Sequence, residues 1–240
     1  APPPAAPEVW TGPHAAVWHF GGDAKDATAH HVDAARTVIR FAAGPLGQAA
    51  AFDRTKREHV SLGTDTRLVS GAAAVTVTAW VQHTGEVQDG QDIILGIGTA
   101  ETGGHLSRVS VALSPGLGLI GEANPDEGAW DVIDSPGNSV PNGQWHHLAV
   151  VIDVRARTIS LYKNGAPLRA PFRGRWTAMA YAPTPANRVT IGCEEDESKS
   201  FFNGLLDELR VQTVARSAEW LAAEARAPKM ATVGDEERLP

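Results

Sequence analysis

Apolar and polar residues alternate with a period of two along most of this chain, the spacing of a half-buried β-strand. The clearest case is Val75-Thr76-Val77-Thr78-Ala79-Trp80-Val81, where the valines and Ala79 share one face and Thr76, Thr78 and Trp80 the other. Similar segments run over 16–20, 37–41, 49–52, 93–97, 106–113, 117–123, 130–133, 145–153, 189–193 and 205–211. After Ile159-Ser160-Leu161 comes Asn164-Gly165, a pair that tolerates the positive backbone angles of a tight hairpin turn. Only 217–226 has helical character: Ser217 is a good N-cap, Glu219 stands early and Arg226 late, and Pro228 follows. One short helix is expected there, packed on the strands by Trp220 and Leu221. Eleven or twelve strands and one helix predict an all-β, two-sheet antiparallel β-sandwich. A parallel α/β fold would need helices between its strands.

Composition sharpens this picture. The chain has 240 residues with 24 glycines and 16 prolines, which suits many short strands and turns in one domain. Proline and alanine dominate residues 1–13, expected to be a linker or a mature N-terminus after a removed export signal; the sandwich is expected over 14–227 and a tail or linker over 228–240. A net charge of −7 and the lack of a basic, aromatic-interleaved patch argue against a nucleic-acid partner. No segment approaches the roughly 18 apolar residues of a membrane helix. The single cysteine, Cys193, follows Val189 and Ile191 at strand spacing and is expected to pack inward.

The segments Gly143-Gln144-Trp145-His146-His147-Leu148-Ala149 and Leu161-Tyr162-Lys163-Asn164-Gly165 also resemble the middle of the concanavalin A-like, laminin-G-like jelly rolls. Val17-Trp18-His19-Phe20, Gly47 to Asp53, Val75 to Val81, and Phe201-Phe202-Asn203-Gly204-Leu205-Leu206-Asp207-Glu208-Leu209-Arg210 are similar to other motifs of that family, in the same order. The resemblance implies a jelly roll that binds sugars, binds proteins or spaces other domains. Ala215-Arg216-Ser217-Ala218-Glu219-Trp220-Leu221 is similar to the exit of such domains in bacterial envelope proteins, sometimes beside TolQ/ExbB-type proton-channel domains. It implies a periplasmic or extracellular location.

Candidate chemistry is sparse. The run Glu194-Glu195-Asp196-Glu197 lacks the alternation that would place paired acids on one strand face, and it reads as a charged surface loop. His30-His31 and His146-His147 are adjacent pairs whose rings diverge on a strand, so one of each pair is expected to be buried. Asp207 shares parity with Leu205, Leu209 and Val211, an apolar face on which a carboxylate needs a partner or a metal. Relatives often hold a structural calcium between the opening acidic loop and the closing Asp-Glu. That likeness implies a Ca²⁺ among Asp23, Asp26, Asp33 and Asp207, although His30, His31 and Val32 replace the family's usual Asn and Gly there. Trp18, Trp80 and Trp145 occupy the family's core positions. Trp130 and Trp176 lie in turn-rich segments and are the candidates for stacking on a sugar. The expectation is a non-catalytic recognition module whose partner is a glycan or an envelope protein; a polysaccharide hydrolase or lyase is disfavoured.

Overall fold

The computed structural model describes residues 10, 12–64, 68–101, 104–124, 131–176 and 187–227, with only the backbone for 100, 101, 104–108 and 187. In chain order the strands are β1 (His14–Trp18), β2 (Arg36–Thr37), β3 (Arg40–Gly44), β4 (Gly47–Phe52), β5 (Val60–Ser61), β6 (Ala74–His83), β7 (Asp92–Glu101) and β8 (Gly104–Leu113). There follow β9 (Leu119–Ala123), β10 (Asp131–Asp134), β11 (His146–Asp153), β12 (Thr158–Lys163), β13 (Ala166–Pro167), β14 (Phe172–Arg173), β15 (Asn187–Ile191), β16 (Gly204–Gln212) and the helix α1 (Ala218–Glu224). A nine-stranded sheet has the order β13-β12-β11-β6-β16-β4-β3, with β1 on β16 and β14 on β12. A seven-stranded sheet runs β10-β9-β8-β7-β15-β5-β2, and both sheets are antiparallel.

Alternation places the core between them. Val75, Val77, Ala79 and Val81 of β6 share one buried core with Leu95, Ile97, Val109 and Val111 of the facing sheet. Burying side chains of this size stabilises by about 1.5–3 kcal/mol each. Cys193 is buried as expected, and burial among the neighbouring carboxylates pushes its thiol pKa up. The Asn-Gly turn joins β12 to β13, with Asn164 at φ 52° and Gly165 at φ 79°. A Cβ on Gly165 would come within 2.3 Å of Ala222 Cα, so the turn is also where α1 docks.

Some expectations shift in detail. The apolar run 37–41 is divided between β2 and β3, because the chain passes there from one sheet to the other and leaves Val38 exposed. The strand expected from Leu117 starts at Leu119, since Ser114–Gly118 form a turn with Leu117 at φ 56°. The two-residue strands β5, β13 and β14 are too short to carry a periodic signal.

The helix forms where its caps predict. Ser217 Oγ accepts the Trp220 amide at 3.3 Å, and Glu219 occupies the first turn. Leu221 packs on Ala149 and Val151 of the nine-stranded sheet's outer face. This cover explains why Thr76 and Thr78, which point away from the core, are fully buried. Thr76 Oγ1 donates to the Val214 carbonyl at 2.6 Å and Thr78 Oγ1 to Glu224 Oε1 at 3.3 Å. Among the described residues, no helix is long and apolar enough to cross a membrane.

Candidate functional site

The outer face of the nine-stranded sheet acquires its chemistry from one irregularity. β16 pairs Leu206 with Val81 and Asp207 with Trp80, then resumes with Arg210 opposite Thr78 and Val211 opposite Val77. One extra residue is absorbed at Glu208, whose φ of 51° lies in the left-handed region. The bulge shifts the parity, and it corrects the expectation for this strand. Leu206 faces the core before it, and Leu209 and Val211 after it. Asp207 and Arg210 share the outer face with Trp80, so Asp207 does not stand on the apolar side with Leu209 and Val211.

Arg210 is the centre of the resulting cluster. Its Nη2 donates to Glu208 Oε2 at 2.5 Å and its Nη1 to Glu224 Oε1 of α1 at 2.6 Å. His19 Nδ1 lies 2.6 Å from the other oxygen of Glu208, and His147 Nε2 lies 3.2 Å from Glu224 Oε2. Charge-assisted bonds of this kind are stronger than neutral ones and fix side-chain orientation. Burial acts to raise the Glu208 pKa, but the His19 hydrogen bond and the Arg210 charge outweigh it and hold the carboxyl below its ordinary value. The aromatic frame comes from several elements. The Trp80 and His147 rings meet edge to face at 5.5 Å, Trp10 lies 4.7 Å from the Arg210 guanidinium, and Arg216 stacks on Trp220 at 4.2 Å. Trp80, Trp220, Glu208, Arg210, Glu224 and His147 line a hollow of about 270 Å³ at the seam between sheet and helix, with Leu46 on its rim. A second hollow, of about 430 Å³ near Val32, Leu68 and His30, has neither an indole nor a carboxylate in its wall among the described residues.

The calcium expectation meets a different geometry. Asp26 is buried, and four donors occupy its carboxylate: the amides of Val17, Thr28 and Val32 and the Thr28 hydroxyl, at 2.7–3.0 Å. Asp33 accepts the Asp26 amide at 2.9 Å and Asp23 the Lys25 amide at 3.2 Å. These three carboxylates fold the loop on itself. Asp207 lies under the β3–β4 turn, where Leu46 N donates to Oδ2 at 3.2 Å and a Cβ on Gly44 would come within 2.7 Å. Among the described residues, no three His, Cys, Asp or Glu side chains converge to hold a metal. The four positions therefore do not fit a calcium cage as arranged. Burial instead pushes the Asp207 carboxyl up to about 6, and the Leu46 amide offsets only part of that rise.

The aromatic candidates also move. Trp176 is fully buried in the core, so it is not a platform. Gly174 makes room for it, since a Cβ there would fall 2.5 Å from the indole, and the Arg175 amide is tied to Asp131 at 3.0 Å. Trp130 lies outside the described residues. Trp18 is a core residue as expected, with its indole N–H on the Val32 carbonyl at 3.0 Å. Trp145 is only half-buried, just ahead of β11, and Trp80 faces outward and walls the hollow. The alternation of Trp80 with the valines of β6 carries that signal; what sequence does not show is where the helix lies on the sheet, which turns an outer-face residue into a pocket wall. In the sequence, Trp220 reads only as helix packing.

The acidic run is a correction too. Glu194 and Glu195 are buried, with Ser200 Oγ donating to Glu194 at 2.7 Å. Glu197 lies 3.3 Å from Arg36 and 3.2 Å from His59, which latches the loop across β5 and β2. The Glu195 carboxylate lies over Gly96, where a Cβ would approach it to 3.1 Å, on the outer face of the seven-stranded sheet. Of the histidine pairs, His146 and His147 are both buried, while His30 and His31 are both exposed.

Comparison with known proteins agrees with this architecture. No sequence match to a curated protein is found. Domain 4 of an extracellular arabinanase from Geobacillus stearothermophilus, solved with arabinotriose, superposes with a TM-score of 0.63 at 21% identity, over 89% of this chain and 98% of that one. The binding domain of Paraclostridial Mosquitocidal Protein 1 gives 0.66 at 10% identity, over 90% of this chain and 52% of the other. A Ruminococcus gnavus sialidase CBM40 bound to sialyllactose gives 0.54 at 17% identity, over 65% and 83%. At these identities the likeness establishes the fold. The family model matches residues 54–222, and the chain belongs to the concanavalin A-like lectin/glucanases superfamily.

Proposed function

We propose that the chain is a non-catalytic carbohydrate-binding module that works outside the cytoplasm, with the Trp80–Trp220 hollow as its sugar site. The observation that carries this reading is the hollow itself: two indoles beside fixed charged groups, held on a rigid sheet and helix. Small-molecule sites combine an apolar wall with a few polar groups and span about 300–1,000 Å³. A hollow of about 270 Å³ is at the small end and suits one sugar ring. The fold neighbours solved with arabinotriose and sialyllactose support a glycan as the ligand.

Catalysis is disfavoured by how the acids are used. Glu208 and Glu224 both neutralise Arg210. The carboxyl with a raised pKa, Asp207, is buried under Leu46 and does not line the hollow. A hydrolase needs a proton donor and a nucleophile or base that both reach the substrate.

The test is a glycan array followed by calorimetric titration. Binding is expected to be weak to moderate and to vanish in Trp220→Ala, which keeps its fold. Trp176→Ala is expected to cost about 3–5 kcal/mol of stability through the cavity it leaves, without a selective effect on ligand contacts. Release of sugar ends from a polysaccharide would overturn the non-catalytic reading. A blank array, with capture of a defined envelope protein through the Leu46 rim, would move the ligand class to protein.

A further inference from the structure

The aromatic surface around the Trp80–Trp220 hollow continues past Arg210. Trp10 lies 4.7 Å from that guanidinium and meets the His14 ring edge to face at 5.2 Å. His14 belongs to the wall of the second hollow, of about 430 Å³, together with Ala15, His30, Val32, Leu68 and Thr213. One indole therefore touches a wall residue of each hollow. Local structure fixes it there. Gly12 takes a left-handed conformation, φ 74°, between Trp10 and β1. The Thr213 amide and hydroxyl both donate to the Pro13 carbonyl, at 2.8 and 3.3 Å, which ties this segment to the end of β16. The β1 register slips between His14 and Ala16, so that His14 pairs with Gln212 and Val17 with Arg210. Val17 is fully buried without belonging to the core between the sheets, so the outer face is covered here as well. Arg210 in one wall and Thr213 in the other are three residues apart, about 10 Å along an extended chain.

On the reading of the Trp80–Trp220 hollow as a sugar site, we infer that the two hollows are the ends of one groove bridged by Trp10, and that the ligand is an oligosaccharide chain rather than a single sugar. The second hollow has the make-up of a ligand site, with Ala15, Val32 and Leu68 as apolar wall and two imidazoles and a hydroxyl as polar groups. Trp10 is only half-buried, so part of its ring remains for the C–H face of a sugar to cover, and covering apolar area is favourable. The carboxylates of the first wall are both paired with Arg210, so further affinity has to come from surface of this aromatic and apolar kind. A chain that fills the first hollow brings its next rings to Trp10 and the second hollow as an intramolecular step. Two weak contacts then combine into a much tighter one.

The experiment titrates the full chain with three uncharged series in which length is the variable: arabinose, arabinotriose and arabinohexaose, and the matching members of the xylan and cellulose series. Any other glycan retained on the array is carried through the same comparison. In a series that binds, the hexasaccharide is expected to exceed the monosaccharide in affinity by on the order of tenfold or more, with the trisaccharide between them. Trp10→Ala should bring that ratio to within about threefold, because the linked second contact is lost. His30→Ala changes an exposed residue of the second hollow and should also shrink the ratio, so it answers the same question if Trp10→Ala folds poorly. Equal affinity at all lengths, or a length gain that survives in the folded Trp10 variant, would overturn the inference and leave the Trp80–Trp220 sugar site standing. Silence from every series together with a blank array would remove the sugar site itself, and the inference with it.

Discussion

Strands β6 and β16 lie side by side in one sheet, and only one of them can be read by parity. β6 is regular from Ala74 to His83, so its valines mark the core and its threonines and Trp80 the opposite face. β16 begins on the same rule and changes phase at Glu208, where one residue takes a left-handed backbone conformation. The regular strand supplies the core that stabilises the fold. The bulged strand supplies Glu208 and Arg210 to the outer face, next to a helix that encloses them. A site arises where the period breaks, because a bulge re-aims side chains that a regular strand would have buried or left apart.

The largest expected effect comes from breaking the junction between the two strands. Gly204 opens β16 at φ 145°, and a Cβ there would sit 2.2 Å from the Gln82 carbonyl of β6. Gly204→Ala is expected to cost about 3 kcal/mol, combining a backbone clash with a conformation that alanine resists. Urea denaturation measures this, and a loss below about 1 kcal/mol would mean the two strands separate there at little cost.

A smaller effect isolates the bulge. The Asp207 carboxyl has a folded pKa of about 6 against 3.8 for an ordinary aspartate. The native state therefore keeps a proton that the unfolded chain releases, and stability falls as pH rises from about 4 to about 6. This group alone should withdraw about 2 kcal/mol across that window, since each tenfold change in proton affinity is worth about 1.36 kcal/mol and solvent screening takes back part of the total. Glu208, whose pKa is lowered, contributes in the opposite direction and loses its stabilising effect on acidification. The clean measurement is thus the difference between the wild type and Asp207→Asn over a pH series. The variant should be the more stable above pH 6 and should converge with the wild type near pH 4. Parallel curves would place Asp207 in water.

The smallest expected effect is none. Millimolar calcium should leave the melting temperature unchanged, since Asp26 is saturated by protein donors and Asp207 faces another element. A rise on calcium addition that chelator reverses would show that these carboxylates rearrange around an ion, because a ligand that binds only the native state must stabilise it.

Much of the fold is legible in the sequence, for identifiable reasons. Continuous alternation in β6, β8 and β11 and the caps of α1 are local signals, and local signals survive in a sequence. The site is less so. Trp176 has turn-rich neighbours and reads as exposed, yet the missing side chain at Gly174 opens a way inward for its ring, and nothing local distinguishes the two outcomes. Glu194 and Glu195 read as solvated because four acids in a row suggest a surface, whereas Ser200 turns back to donate to Glu194 and the Arg36–His59 pair, from other positions in the fold, holds the loop through Glu197. Arg210 and Glu224 are fourteen residues apart in different elements, so their contact depends on how the helix is laid across the sheet.

The borders of the two sheets carry a consequence for behaviour in crowded solution. Exposed strand edges are templates for pairing with another molecule. Here β2 offers only two residues, beginning with exposed Arg36, and β3 begins with exposed Arg40. β10 ends in exposed Asp134, β13 contains Pro167, which has no amide hydrogen to donate, and β14 ends in exposed Arg173. Each of these borders would bring charge, or an interrupted ladder, to any strand approaching from outside. Such a sandwich can be tethered at high local density on a surface without its sheets fusing edge to edge.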